Sequence, residues 1–194
     1  MPPRSVILTA RDWGKFYRLQ TGMVRLDVPA ADGMQLAGLL LPGDLIGAEL
    51  LVTDVYSFTA TALVPCTLQP CLPNSSPTYQ SELMQSWLTM LRRQVNVLSL
   101  RQGGAAQRVS RLMELCRESA RLSLVEPGEA FHLPTLNQIS DLCALTIETA
   151  CRVLSGLRRS GELQDLDQRL CIFRQGLDTD ARAGDSAARH QAVA

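Results

Sequence analysis

Residues 135–159 read TLNQISDLCALTIETACRVLSGLRR, and this stretch decides the fold. Apolar residues recur at helical spacing on both sides of the small residue Ala144, which predicts two short helices joined by a tight turn. Thr135 and Thr146 stand where the N-cap of each helix belongs. The layout is that of a helix-turn-helix, a motif whose second helix enters the major groove of DNA.

The side of the second helix opposite its apolar face is the candidate DNA-reading surface. Arg152 can bond two acceptors of guanine and Glu148 can accept from cytosine, each good pair contributing roughly 1–3 kcal/mol of discrimination. Thr135, Asn137 and Thr146 suit phosphate contacts, which position a protein on DNA without specifying sequence. The other residues predicted on the exposed side are Thr149, Cys151 and Arg159.

The segment 163–173, after Gly161, reads as two short strands around a polar turn. A β-hairpin at this place predicts a wing beside the helix-turn-helix. Two roles are open for it: the wing covers the helices, or Arg169 contacts the DNA backbone.

Two longer helices are predicted upstream. The stretch 105–120 is amphipathic, and Gly103-Gly104 separates it from residues 78–102, which hold no proline or glycine. Within 78–102 five apolar residues recur at alternating steps of four and three, the pattern of a heptad seam. We interpret the seam as an interface between two copies of the chain, and a helix packed on its own domain is the alternative. The seam residues are Met84, Leu88, Leu91, Val95 and Leu98.

Residues 16–72 follow a different pattern, with short apolar–polar alternations between turns. Gly22, Asp32-Gly33 and Pro42-Gly43-Asp44 mark these turns. Strands of this length and spacing predict a small antiparallel β-roll.

Together the segments predict an α+β fold. The breaker segment Pro73–Pro77 separates the roll from the helices. The expected organisation is a β-roll over residues 1–77, a dimerisation helix over 78–102, a winged helix-turn-helix over 103–176 and a disordered tail over 177–194.

The charge balance excludes a binder driven by bulk positive charge. The chain of 194 residues carries 19 basic and 19 acidic residues. Residues 84–175 hold 12 basic and 9 acidic groups, net +3, while residues 134–175 hold 5 of each. DNA binding by this chain should therefore depend on a few placed groups rather than on a basic surface.

Other sequence features bear on compartment and chemistry. We expect a reduced, cytoplasmic setting, because the six cysteines show no C-x-x-C spacing and no signal peptide is visible. Residues 36–52, the most apolar stretch, are interrupted by Pro42, Asp44 and Glu49 and should not span a membrane. No catalytic or metal-binding motif occurs, so neither an enzyme nor a cofactor is expected.

Three stretches carry a resemblance to a known family. Residues 16–26 (FYRLQTGMVRL) resemble an F-Y-x-L-x-x-G-x-V-x-L strand pair, and residues 39–47 (LLLPGDLIG) resemble an L-x-x-G-D-x-x-G turn. Residues 145–154 (LTIETACRVL) resemble a recognition helix. The chain thus resembles the CRP/FNR superfamily of bacterial transcription regulators over about residues 16–173.

The resemblance implies a cyclic-nucleotide-binding-like, cupin-like roll and a homodimer on double-stranded DNA, with RNA polymerase as a further partner. It makes Glu148 and Arg152 base readers and places Cys151 at another base-contacting position. Ile147 stands where many members have arginine. The FNR branch has an apolar residue at this position, and that likeness implies a half-site resembling TTGAT. Half-sites should lie one helical turn apart, about 34 Å. The full set of predicted DNA-binding residues is Thr135, Asn137, Thr146, Ile147, Glu148, Thr149, Cys151, Arg152, Arg159 and Arg169.

The β-roll, which is the sensor domain in the family, departs from the family's sequence pattern. In the family, the cyclic-nucleotide pocket pairs a glutamate after the G-D-x-x-G turn with an arginine-serine step that holds the phosphate. Here Glu49 lies one residue later than that glutamate, and Tyr56-Ser57 stands in place of the arginine-serine step. No arginine occurs between Arg25 and Arg92. Cyclic AMP is not expected to bind, since a buried phosphate needs such a cation. The first cysteine is Cys66, so the grouped N-terminal cysteines of an iron–sulfur cluster are lacking.

Haem is not expected either, because the two histidines, His132 and His190, lie outside the roll. The roll reads as shortened at its N-terminus, without the initial helix and one strand of the family. The effector is therefore unknown or absent. Two alternatives stay open: a roll that binds an anionic metabolite, as in the nitrogen-control members, or a thiol-redox sensor using Cys66 and Cys71.

Overall fold

The computed structural model describes residues 1–31, 33–72, 77–125, 127–167 and 169–174. The predicted tail at 177–194 lies outside the described residues, as do Asp32 and most of the breaker segment. In chain order the elements are β1 (Val6–Leu8), β2 (Phe16–Thr21), β3 (Val24–Ala30), β4 (Gly33–Leu40), β5 (Leu45–Ile46), β6 (Thr59–Ala62), β7 (Thr67–Cys71), α1 (Pro77–Ser99), α2 (Ala105–Arg121), β8 (Phe131–His132), α3 (Leu136–Leu142), α4 (Ile147–Ser160), β9 (Leu163–Asp167) and β10 (Leu170–Phe173).

Strands β1 to β7 form the predicted roll. One antiparallel sheet has the order β1-β6-β3-β4 and the other has the order β5-β2-β7. Alternation along the strands sends Leu19, Val24, Leu40 and Ile46 into a common core, where each is fully buried. The α+β fold predicted from the sequence is confirmed.

The roll begins earlier in the chain than the sequence predicts. The sequence placed the first strand at Phe16, but β1 already pairs with β6, Val6 lying opposite Thr61 and Leu8 opposite Ala60. Three residues are too few to show a period of two. Their extended form depends on a partner more than 50 residues later in the chain.

Helix α1 ends three residues earlier than predicted, at Ser99 rather than at residue 102. The N–H groups of Leu100 and Gln102 bond to carbonyls three residues back, and Gly103 has a φ of +84°. The guanidinium of Arg111 donates to the carbonyl oxygens of both Ser99 and Gln102 at 2.7 Å. The carbonyls freed at the helix end are therefore satisfied from α2.

A buried ion pair fastens α1 to the roll. The guanidinium of Arg93 bonds the carboxylate of Asp44, and both side chains are almost fully buried. Asp44 also accepts from the backbone N–H of Leu41 at 2.8 Å. Burial raises the pKa of Asp44, although Arg93 and the Leu41 N–H act against that shift.

The winged helix-turn-helix and the roll share one hydrophobic core. The cluster includes Leu39 and Leu63 from the roll together with Leu112, Ile139 and Phe173 from the C-terminal elements. These side chains belong to one packed cluster, so the core of the C-terminal module continues into one side of the roll, while Leu19, Val24, Leu40 and Ile46 belong to a second cluster within the roll.

Candidate DNA-binding site

The first helix of the motif, α3, begins with a complete capping box. Thr135 Oγ1 accepts from the N–H of Gln138 at 3.2 Å, and Gln138 Oε1 accepts from the N–H of Thr135 at 2.7 Å. The predicted N-cap at Thr135 is confirmed. The same side-chain amide of Gln138 donates to the Leu63 carbonyl at 3.3 Å, so the cap is also tied to the roll.

The turn between α3 and α4 is held by a residue that the sequence did not reveal. Ala144 has a φ of +48°, and the N–H of Leu145 bonds the carbonyl of Ser140 at 2.8 Å. Arg108 Nη1 donates to the carbonyls of Cys143 and Ala144 at 3.2 and 3.3 Å. Arg108 lies on α2, 35 residues before Cys143, so sequence spacing gave no signal for this contact.

The second helix, α4, has the predicted N-cap. Thr146 Oγ1 accepts from the N–H of Thr149 at 3.2 Å, and the two hydroxyls lie 2.9 Å apart. Ala150, Leu154 and Leu157 form the buried face, as expected from their spacing.

Thr149 differs from its predicted environment. It was expected on the exposed side, but it is only half-exposed. Its hydroxyl bonds Thr146 and accepts from Arg152 Nη2 at 3.4 Å. The physical reason is the cap itself, which holds the first turn of α4 against Thr146.

The outer face of α4 is exposed in the single chain. Glu148, Cys151, Arg152 and Arg159 are exposed, as is Ile147 at the first helical position. The structure therefore brings these predicted residues together on one face. In α3, Asn137 is exposed, while Thr135 at its N-cap is half-buried.

The predicted wing is present as the hairpin β9–β10, and β8 adds a third strand to it. Arg169 lies exposed in the hairpin turn with a φ of +77°. Its carbonyl accepts from the N–H of Leu133 at 2.7 Å, which joins the wing to the segment before α3.

A second ion pair fixes the wing to α4. Arg158 donates through Nε and Nη2 to the two carboxylate oxygens of Asp165 at 2.8 and 3.1 Å. The hydrogen bonds from Arg158 lower the pKa of Asp165. Arg158 was not singled out in the sequence, because nothing local distinguishes it from Arg159. Arg158 is thus engaged in an ion pair. Among the described residues between 135 and 173, the arginines without a carboxylate partner are Arg152, Arg159 and Arg169.

The five residues of the heptad seam lie along one side of α1. Within a single chain their side chains are 48–69% exposed. Val97, on the opposite side of α1, is buried, as is Leu100 directly after the end of the helix. The seam is therefore an apolar stripe on the surface of the chain. Its residues are Met84, Leu88, Leu91, Val95 and Leu98.

A cavity of about 290 Å³ lies between the roll and α1. Its wall is mainly aliphatic and aromatic, and Glu49 alone is charged among the described residues that line it. Glu49 Oε1 accepts from the N–H of Ser57 at 3.2 Å, and the hydroxyl of the buried Tyr56 donates to the Lys15 carbonyl at 2.6 Å. These residues do not fit the phosphate of a cyclic nucleotide, because no cationic side chain among them could bind it.

The proposed thiol pair does not fit an intramolecular disulfide. Thr67–Cys71 is strand β7, so Cys66 and Cys71 lie at opposite ends of at least roughly 13 Å of extended chain. Disulfide-bonded cysteines need Cα atoms within about 7 Å. Cys66 is also buried and donates to the Val64 carbonyl at 3.1 Å.

Comparison with known proteins decides the family. Residues 1–69 match the family described as cyclic nucleotide-binding domain, and residues 135–162 match bacterial regulatory proteins of the crp family. The transcriptional activator protein FnrL of Cereibacter sphaeroides is 32% identical over 178 residues, which cover 86% of this chain and 72% of FnrL. The chain belongs to the CRP/FNR family of DNA-binding transcription regulators.

Two further comparisons agree with this membership. The CRP/FNR chain is 32% identical to the nitrogen fixation regulation protein FixK of Rhizobium meliloti, over 74% of its own length and 66% of FixK. It thus spans just under two thirds of that relative. A CRP-family transcriptional regulator from Thermus thermophilus has the same fold, with a TM-score of 0.71 and 23% identity over 96% of this chain and 95% of that one.

The described part of the chain lacks two features. None of the helices in the described part of the chain is both long and apolar enough to cross a membrane. Among the described residues, no three His, Cys, Asp or Glu side chains group as a metal ion would require.

Proposed function

We propose that this chain regulates transcription as a homodimer that inserts α4 of each subunit into the major groove of a two-fold symmetric DNA site. The observation that carries the proposal is the capped helix α4. Its apolar side is buried in the shared core, while Glu148 and Arg152 project from the other side. A rigid, half-buried helix with polar residues near its N-terminus is the arrangement that reads base edges.

The residues of the site divide by role. Arg152 bonds guanine and Glu148 accepts from cytosine, while Ile147 and Cys151 offer apolar contact to a thymine methyl group. The resemblance of the recognition helix to the FNR branch suggests a half-site similar to TTGAT. Phosphate contacts come from a second group, which positions the helix without reading sequence. That group is Thr135, Asn137, Thr146, Arg159 and Arg169, with Thr149 supporting the cap.

The seam supports the dimer. Five apolar side chains at heptad spacing stand exposed on α1, and a second copy of the same helix is the natural cover for them. A two-fold axis along α1 would present two copies of α4 to successive turns of the groove, about 34 Å apart.

We further propose that DNA binding does not depend on cyclic AMP. The support is the lining of the roll cavity, which holds one carboxylate and no cationic side chain among its described residues. As a regulator rather than an enzyme, the protein would act in the cytoplasm and contact RNA polymerase. Its relatives support this reading, since they are named as regulators of transcription and nitrogen fixation.

The test begins with selection of bound DNA from a random pool, without added nucleotide. We expect a palindromic site, and Arg152→Ala should weaken binding to it by roughly 1–3 kcal/mol per half-site while nonspecific binding changes little. Lys15→Ala is the matched control, because it removes one positive charge from an exposed position of the roll that is not part of the predicted DNA-binding set. Competition mobility-shift titrations measure both.

An unchanged sequence preference in Arg152→Ala would refute the role of α4. A requirement for cyclic AMP in the selection would refute the second proposal and leave the first intact.

A further inference from the structure

Three arginines from separate parts of the chain converge on the end of α3, directly before the helix proposed to enter DNA. Arg25 of β3 bonds the carboxylate of Asp141. Arg101, between α1 and α2, donates through Nη2 to the Asp141 carbonyl at 3.3 Å, and Arg108 of α2 donates to the carbonyls of residues 143–144. We infer that these arginines are positioning residues for DNA recognition, which set the orientation of α4 relative to α1 and so the separation of half-sites that the dimer accepts. The inference deepens the proposed function and rests on it.

The end of α3 lacks cations and donors of its own. The last carbonyls of a helix have no partner within it and carry the negative end of the helix dipole. The last turn of α3 contains no basic residue, and Asp141 adds a negative charge there. Arg25, Arg101 and Arg108 therefore supply, from other elements, the positive charge and the N–H donors that this helix end requires.

Each arginine ties the end of α3 to a particular place in the chain. The half-buried Arg25 belongs to the roll, where its Nε also bonds both carboxylate oxygens of Asp27 at 2.8 Å. Arg108 donates through Nε to the Gly103 carbonyl at 2.8 Å, and Arg101 lies in the same junction between α1 and α2. The guanidinium of Arg108 thus joins the junction that follows α1 to the turn that precedes α4.

The position of this turn determines the position of α4. Only Leu145 separates Ala144, whose carbonyl Arg108 bonds, from Thr146, the N-cap of α4. In a dimer joined along α1, any displacement of the turn relative to α1 changes the separation of the two copies of α4. Each base pair added between half-sites moves them apart by roughly 3.4 Å and rotates them by roughly 35°, so a firmly held α4 accepts one spacing and rejects its neighbours.

The experiment measures how well the full chain discriminates against a wrong spacing of half-sites. Competition mobility shifts compare the selected palindromic duplex with two others: one with two additional base pairs between the half-sites, and one with a single wrong base pair in each half-site. We expect Arg108→Met to reduce the discrimination against the longer spacer by roughly tenfold, because a loosely held α4 is no longer preorganised for the correct spacing. The discrimination against the wrong base pair should stay within about twofold of the parent value, since the outer face of α4 is unaltered.

Two further variants accompany this comparison. Arg117→Met is the matched control, because it removes an arginine from the same helix whose carboxylate partner, Glu114, also lies on α2. It should leave the spacing discrimination unchanged. Arg101→Met changes an exposed side chain and should lower that discrimination less than Arg108→Met, because it removes one of the described bonds to the end of α3 where Arg108→Met removes two.

Hydrogen exchange in the free protein tests the same positioning without DNA. In Arg108→Met the backbone amides of residues 143–149 should exchange roughly tenfold faster than in the parent chain, because local opening of the turn becomes easier. Arg117→Met should leave these rates unchanged. Mass spectrometry of peptides that span the turn measures them.

Several results would overturn the inference: spacing discrimination that survives Arg108→Met, an equal loss in Arg117→Met, a loss of base discrimination as large as the loss of spacing discrimination, or unchanged exchange in the turn. A parent chain that selects no two-fold symmetric site would refute the proposed function itself. That result is read on the parent chain and is therefore distinct from a failure of the arginine variants. If Arg108→Met does not fold, Arg101→Met decides by the same measurements.

Discussion

Ala144 occupies the left-handed region of backbone space, with a φ of +48° in the turn between α3 and α4. For a residue with a Cβ this conformation costs about 1–2 kcal/mol. The surroundings impose it through the Leu145 N–H bond to Ser140 and the bonds that Arg108 donates to the turn. The turn between α3 and α4 is thus held partly against local preference.

Glycine at this position should relieve the strain. We expect Ala144→Gly to raise the free energy of unfolding by about 0.5–1 kcal/mol, because glycine adopts positive φ freely and loses part of that gain to its flexible unfolded state. Thermal unfolding should shift upward by about 1–4 °C. The matched control is Ala120→Gly in α2, which should lower stability, since its backbone is right-handed helical. Equal destabilisation by both changes would contradict the strain.

The six thiols should differ sharply in reactivity. Burial raises the pKa of Cys66 to about 11 and those of Cys143 and Cys171 to about 12, and it raises the pKa of Cys116 as well. Because the thiolate is the reactive form, labelling of the native protein at about pH 8 should reach only the exposed Cys151 and the half-exposed Cys71.

Burial raises the pKa of these four thiols above their pKa in the unfolded chain. At a pH between the two pKa values, the thiols therefore stay protonated in the folded state and ionise in the unfolded state. Folding is therefore favoured by these thiols below their unfolded pKa, and that contribution decreases as pH rises toward the folded pKa. Peptide mapping after timed alkylation checks the order, and rapid labelling of Cys116 in the native protein would contradict it.

At the scale of elements, α1 has two faces with separate tasks. Arg93 and Val97 hold it to the rest of the chain, and the opposite face carries the exposed seam. The first face is fixed within one chain, so a change on the second need not disturb the fold.

A charge in the seam should therefore separate the subunits without unfolding them. We expect Val95→Glu to weaken dimerisation by about 2 kcal/mol or more, roughly 30-fold, because two carboxylates would be buried in the interface. Met34→Glu, on a similarly exposed apolar residue of the roll, is the control and should leave the dimer intact. Sedimentation velocity over a concentration series distinguishes the two, and an unchanged dimer in Val95→Glu would rule out the seam.

Elements defined by local signals could be predicted from the sequence. The caps at Thr135 and Thr146 and the hairpin after Gly161 each follow from residues within a few positions of one another. Strand β1 and the bonds that Arg108 donates to the turn between α3 and α4 depend on partners 35 or more residues away, so no local pattern encodes them. The base-reading roles of Glu148 and Arg152 remain predictions, since the fold shows their exposure and not their partner.

At the scale of the whole molecule, the roll and the C-terminal module are joined by more than the shared core. Arg25 of β3 bonds the carboxylate of Asp141 in α3, and Ser119 of α2 donates to the Gly22 carbonyl at 2.7 Å. The Leu124 N–H reaches the Gln20 carbonyl at 2.9 Å. These contacts join the roll and the C-terminal elements in one cooperative structure.

We therefore expect a single unfolding transition. The two tryptophans, Trp13 and Trp87, report on the roll and α1, while far-ultraviolet circular dichroism reports on helices α1 to α4 together. At a fixed protein concentration the two signals should have coincident midpoints. A separate, earlier loss of helical signal would show that the C-terminal module unfolds alone.

The core shared by the roll and the C-terminal module also limits how these domains can be exchanged with those of a relative. A chimera that joins this roll to the helix-turn-helix of a distant relative at the Gly103-Gly104 junction would replace the side chains against which Leu39 and Leu63 pack. Leu39 and Leu63 would face side chains selected to pack on another roll. If α4 reads the DNA site as proposed, we expect that its sequence preference is better changed by substituting the outer face of α4 than by exchanging the whole module.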